Sequence, residues 1–163
     1  MKFIISLFLI GALNSTPPPN TSAFDSNQTS TTTSEKEYLF ISLERTPCLG
    51  RCPSYRISIY NTGRVLYEGY TFVEREGNFE TQLDQSELEQ LKKVMEQIDI
   101  FTLKDKYDSY KTDIPSCILH LNDGEQSKKI YDRDGAPLSL MNFEKLIDKI
   151  VLSKEFTKLK KSE

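Results

Sequence analysis

Two cysteines four positions apart bracket a glycine in the run Arg45-Thr46-Pro47-Cys48-Leu49-Gly50-Arg51-Cys52-Pro53-Ser54-Tyr55. Thiols at this spacing serve as a structural disulfide, a redox pair or two metal ligands. The first use carries a geometric condition. Residues 48–52 drawn out as a strand would place their ends about 13 Å apart, beyond the roughly 7 Å that a bridge spans. The chain must therefore curl back, and Gly50 between Pro47 and Pro53 eases that curl. A loop closed this tightly stabilises by roughly 2 kcal/mol on the chain-entropy account, and it would fix the connection between two strands. Redox enzymes commonly carry C-x-x-C beside a βαβ unit, whereas the spacing here is C-x-x-x-C among hairpins. A structural Cys48–Cys52 disulfide is the expected reading, with a thiol–disulfide redox pair or sensor as its alternative.

A zinc site would need two more ligands, and the chain offers only Cys117 and His120. Three apart in an expected strand, they point to opposite faces, which argues against a Cys₃His site. Cys117 aligns with Leu119 and Leu121 as a buried core thiol. His120, the single histidine, is expected to face outward with Ser116. Without a second histidine or a paired acid, no Ser-His-Asp or Cys-His set is assembled. Asp132-x-Asp134-Gly135 opens like a calcium loop, but the position that should hold its glutamate is Met141, so a turn is the better reading. Asp105, Asp108 and Asp113 read as solvent-facing loop residues. The strand tyrosines, Tyr55, Tyr60 and Tyr67 among them, read as packed rings with exposed hydroxyls. No cofactor, no metal and no catalytic residue are therefore expected.

The elements that position these residues follow from periodicity. Tyr38–Leu43 reads as a first strand, and Tyr55–Tyr60 alternates with Tyr55, Ile57 and Ile59 on one face. Asn61-Thr62-Gly63 turns the chain into Arg64–Gly69, a β-hairpin. A second hairpin is expected between Thr71–Arg75 and Asn78–Leu83. The period then becomes helical. Asp84 and Glu87 form a capping box, and Leu88, Leu91, Val94, Met95 and Ile98 make one apolar face. Phe101 and Leu103 lead into a polar surface loop, Asp105–Asp113. Ser116–Leu121 and Ser127–Tyr131 flank Asn122-Asp123-Gly124 as a third hairpin. Pro137 suits the first turn of a last helix whose buried stripe is Leu140, Phe143, Ile147, Ile150 and Val151. The order β-β-β-β-α-β-β-α argues for an α+β fold, a mainly antiparallel sheet of hairpins with two helices packed on it.

Composition sets the domain limits. Lys2 followed by the eleven largely apolar residues Phe3–Leu13 reads as a secretory signal, too short to span a bilayer. Residues 1–23 are expected to be the signal peptide and 24–37 a disordered tether rich in Ser and Thr. Residues 38–152 form a single α+β domain, and 153–163 a basic C-terminal tail, read as a frayed helix end. The product is expected to be exported, periplasmic or extracellular. No cysteine precedes Cys48, so a lipid anchor is not expected. The 21 basic and 24 acidic side chains give a formal charge of −3 and alternate along the chain, with no basic stripe for nucleic acid. No stable membrane insertion is expected either.

Leu43, Arg45, Thr46, Cys48, Gly50, Cys52, Pro53 and Tyr55, followed by Gly63, Val65, Tyr67 and Gly69, resemble the opening motif of a bacterial family known as domain of unknown function 6438. Phe101, Leu103, Tyr107, Thr112-Asp113, Pro115 and Gly135-Ala136-Pro137 continue the likeness, which covers roughly residues 38–152. The resemblance implies an exported protein and no established activity, ligand or catalytic residue.

What remains is a non-enzymatic domain that binds an envelope or extracellular macromolecule. Arg45, Arg51 and Tyr55 beside the cysteine loop are the candidate contact residues, because arginine and tyrosine anchor interfaces. A secreted enzyme inhibitor that inserts the loop into a cleft is a further alternative.

Overall fold

The structure, a computed structural model, describes residues 36–160. The expected signal peptide and most of the tether lie outside those residues, as do residues 161–163 of the tail. Eight strands and two helices follow in chain order. They are β1 (Leu39–Arg45), β2 (Ser54–Tyr60), β3 (Arg64–Thr71), β4 (Gly77–Gln82), α1 (Gln85–Gln97), β5 (Lys106–Tyr107), β6 (Cys117–Asn122), β7 (Ser127–Asp132), α2 (Leu138–Leu152) and β8 (Thr157–Lys158). The strands make one sheet in the order β5-β7-β6-β1-β2-β3-β4-β8, antiparallel except for β5 against β7. The fold is α+β, as the hairpin pattern requires.

One face of the sheet carries the core. Register places Ile41 between Ile59 and Leu121, and Leu43 between Ile57 and Leu119, so their side chains share the face that the helices cover. Leu88, Leu91 and Met95 of α1 and Leu140, Phe143, Ile147 and Val151 of α2 complete that layer, all buried. The capping box forms as expected. The Glu87 backbone N–H donates to Asp84 Oδ1 (2.9 Å), and the Asp84 N–H donates to Glu87 Oε2 (2.9 Å).

Four expectations need correction. Residues 72–75 form a turn rather than a strand, because β3 runs on to Thr71 and pairs directly with β4. A Cβ on Gly69 would fall on the Arg75 carbonyl, so the turn folds back over that glycine. The loop after Leu103 is not wholly irregular. Tyr131 donates its N–H to the Asp105 carbonyl and Arg133 donates to that of Tyr107, both at 2.9 Å, which makes Lys106–Tyr107 the short parallel edge strand.

The tail is not a frayed helix end. Phe156 packs on Tyr67 (5.4 Å between ring centroids) and on Phe79, and β8 then pairs with β4. Lastly, Ser116 is buried rather than outward. Its N–H donates to Thr46 Oγ1 (2.8 Å) and its hydroxyl to the Tyr131 hydroxyl (2.8 Å). Cys117 is buried on the apolar face and His120 is exposed on the other.

Candidate functional site

Strands β1 and β2 end at a loop that the sequence restrains from both sides. Pro47 and Pro53 have no N–H to continue the ladder. One further bond closes the base, from Thr46 N–H to the Ser116 carbonyl at 2.9 Å. Within the loop Cys48 and Cys52 sit at disulfide distance, their Cα atoms 5.7 Å apart. The Gly50 N–H donates to Cys48 Sγ at 3.2 Å. Gly50 itself has no left-handed backbone, so the curl does not draw on the freedom of glycine.

The loop is capped by side chains that face water. Leu49 is 83% exposed. Arg51 lies over the ring of Phe72, 5.8 Å from its centroid, and no carboxylate pairs with it among the described residues. Phe72 is 53% exposed and takes a left-handed backbone (φ 55°), so the turn after β3 holds an apolar ring outward at a conformational cost. The turn after β3, the loop after β1 and the segment leading into β6 all lie at the same end of the sheet. Tyr110, almost fully exposed, belongs to that last segment.

Arg45 and Tyr55 are not on this surface. They face each other across the β1–β2 ladder and point inward, under α2. Arg45 Nε and Nη2 donate to Asp148 Oδ2 (3.2 and 2.7 Å), and Nη1 donates to Glu144 Oε2 (2.9 Å). The Tyr55 hydroxyl donates to Asp148 Oδ1 at 2.8 Å. One helix carboxylate therefore clamps both stems of the cysteine loop. Of the three residues expected to make contacts, only Arg51 is available to do so. Arg45 and Tyr55 hold the loop instead.

Electrostatics at the clamp follow from burial. Burial and the adjacent Asp148 raise the Tyr55 hydroxyl above its ordinary value, so it stays a donor. Burial, reinforced by Glu144, pushes the Cys117 thiol up, which keeps it protonated and unreactive. Burial likewise pushes Glu144 up to about 7.

Asp105, Asp108 and Asp134 are engaged by basic neighbours. Asp108 accepts from Arg133 (2.7 Å) and pairs with Lys106 (2.9 Å), and Asp105 pairs with Lys128 (2.6 Å). Asp134 of the calcium-like turn pairs with Lys111 (2.9 Å), while Asp132 faces the interior beside Glu144. Among the described residues no three His, Cys, Asp or Glu side chains gather as a metal-binding group. No helix among them is long and apolar enough to cross a membrane. A cavity of about 600 Å³ opens at the far end of the sheet between Tyr38, Phe40, Met95, Ile100 and Phe101.

Glu144 and Asp148 escaped the sequence reading, yet a signal was present. They stand at i and i+4 and continue the buried stripe of α2 beside Leu140 and Ile147, where an acid must meet a partner. Arg45 continues the inward alternation of Ile41 and Leu43 in the same way.

The sequence profile of a family described as domain of unknown function (DUF6438) matches residues 39–151, more than half of the chain. The chain belongs to that family. Comparison with curated proteins and with solved structures finds no match.

Proposed function

We propose that this is an exported, non-catalytic binding domain whose contact surface is the cysteine loop together with the turn after β3. The observation that carries the reading is the exposed pair Leu49 and Phe72 with the Arg51 guanidinium over the ring. Apolar and cationic groups presented together on a doubly restrained loop lose little freedom on binding, which is what an interface anchor needs. Export is supported by Lys2 and the apolar run Phe3–Leu13, and by the fit of a cysteine pair at bonding distance to an oxidising compartment. The partner is a macromolecule of the cell envelope or its surroundings.

Crosslinking in envelope extract tests this with three versions of the protein. Wild type and Lys92→Ala, altered at the far cavity, should capture the same partner, and Leu49→Ser/Phe72→Ser should lose it. Equal capture by all three would remove the loop as the contact surface.

One observation favours a second reading, a thiol–disulfide protein. The Gly50 N–H aimed at Cys48 Sγ would stabilise a thiolate there once the bridge is reduced. Turnover of a disulfide substrate by wild type, absent from Cys48→Ser/Cys52→Ser, would establish it in place of the binding role.

A further inference from the structure

Beneath the cysteine loop the fold has gathered more acid than it has paired. One cross-strand row of the inner face runs Asp132 (β7), Cys117 (β6), Arg45 (β1), Tyr55 (β2), and α2 lays Glu144 and Asp148 over it. Three carboxyl groups therefore share a single guanidinium. Asp148 is fully provided for, with Arg45 on one oxygen and Tyr55 on the other. Glu144 Oε2 accepts from Arg45.

Glu144 Oε1 is different. It is shut off from solvent and has no hydrogen-bond donor, on a side chain only 5% exposed. Its near neighbours are the Asp132 carboxyl and the Cys117 thiol, a weak donor that lies beside the Glu144 carboxyl but is outside hydrogen-bonding geometry to this oxygen. Arg133 and Lys145 border the cavity of about 170 Å³ beside it, but neither is paired with Glu144, and Arg133 is engaged by Asp108. A buried acceptor facing a second carboxyl group is left unsatisfied unless something lies between them. A proton shared with the neighbouring carboxyl group would satisfy the atom without any further ligand.

We propose that Glu144 and Asp132 form a proton-binding site that joins α2 to β7. Below neutral pH one proton lies between Glu144 Oε1 and the Asp132 carboxylate, and the pair carries one negative charge. Loss of that proton sets two carboxylates against each other, with Arg45 as the one cation in contact with Glu144 among the described residues and already shared with Asp148. Because Arg45 is the last residue of β1 before the cysteine loop, the protonation state is felt at the loop's base. This site does not depend on the proposed binding role, and its test can fail without touching that role.

Carbon-13 titration of the carboxyl groups in the full chain, from pH 4 to 9, decides the matter. One glutamate resonance should titrate near pH 7 in wild type and be missing from Glu144→Gln. In Asp132→Asn the carboxamide supplies the missing donor, so the Glu144 midpoint should move down toward the ordinary glutamate range. Ordinary midpoints for every glutamate in wild type would overturn the site, and this arm stands even where a variant fails to fold. A near-neutral midpoint that survives Glu144→Gln would also overturn it. A midpoint that moves in Cys117→Ala and not in Asp132→Asn would assign the donor to the thiol and end the shared-proton proposal.

Discussion

The two ends of this sheet are closed in different ways. At the loop end, α2 is held by directional bonds from Arg45 and Tyr55 to Asp148 and Glu144. At the far end, Phe40, Met95 and Ile100 are held by apolar packing, and a cavity of about 600 Å³ opens beside them. Its rim acids Glu96 and Asp99 make no side-chain hydrogen bond or ion pair among the described residues. Apolar burial supplies attraction without direction, so it tolerates space and small shifts. Charged hydrogen bonds do not. A helix displaced by one residue would keep much of its apolar contact and lose the Asp148 clamp. The apolar end contributes adhesion, and the polar end contributes register.

The sharpest way to break that contrast is to remove the shared cation. Arg45→Ala leaves Glu144 and Asp148 without a counter-charge and should cost about 3–5 kcal/mol in urea unfolding. Met95→Ala, beside a cavity into which neighbours can relax, should cost about 2 kcal/mol. The reverse order would mean that the polar end is dispensable.

Next in size, Cys48→Ser/Cys52→Ser should lower stability by roughly 2 kcal/mol on the chain-entropy account. Amide exchange should quicken at the base of the loop and stay unchanged around Met95. Equal changes at both ends would show that the two are not separate.

The ends should also fail in opposite directions of pH. Glu144 has a raised folded value, so its share of stability is complete below its ordinary 4.5 and is lost as pH rises through about 7. Asp84, which caps α1 at the far end, is held below its ordinary 3.8 by the Ser86 hydroxyl and the Glu87 N–H. Its share is complete above that ordinary value and is lost as pH falls through the folded one. Unfolding midpoints from pH 2 to 9 should pass through a maximum. Glu144→Gln should flatten only the upper limb and Asp84→Ala only the lower.

The smallest effect belongs to Gly50→Ala. An added Cβ would meet only Cys48 Sγ, at 3.7 Å, and no left-handed backbone is required, so the change should stay within about 0.5 kcal/mol. A larger loss would show that the loop needs glycine after all.

What was legible in the sequence is what periodicity and turn chemistry dictate. Ile57 and Ile59 alternate, Asp84 and Glu87 announce a helix start, and Asn122-Asp123-Gly124 marks a hairpin. Each is local. The cysteine loop was legible as well, because its bridge closes within five residues. The clamp was not read, because Arg45 and Asp148 are 103 positions apart and only the finished sheet brings them together. Arginine and tyrosine beside a loop resemble contact residues when their direction is unknown. Strand alternation settles that direction, and it points both of them inward. The edge strands β5 and β8 were missed for a related reason. Two residues carry no period, and both strands exist only because β7 and β4 offer free edges.

The placement of Arg51 has a further consequence. It is the exposed basic residue inside the ring closed by Cys48 and Cys52, so a trypsin-like protease meets its preferred residue there. Hydrolysis of the Arg51–Cys52 peptide bond opens the ring and leaves its two halves tethered through sulfur. The fragments would separate only after reduction, and β1 would still lie beside β2. The protein thus exposes a trypsin-susceptible bond at a place where breaking it does not divide the molecule.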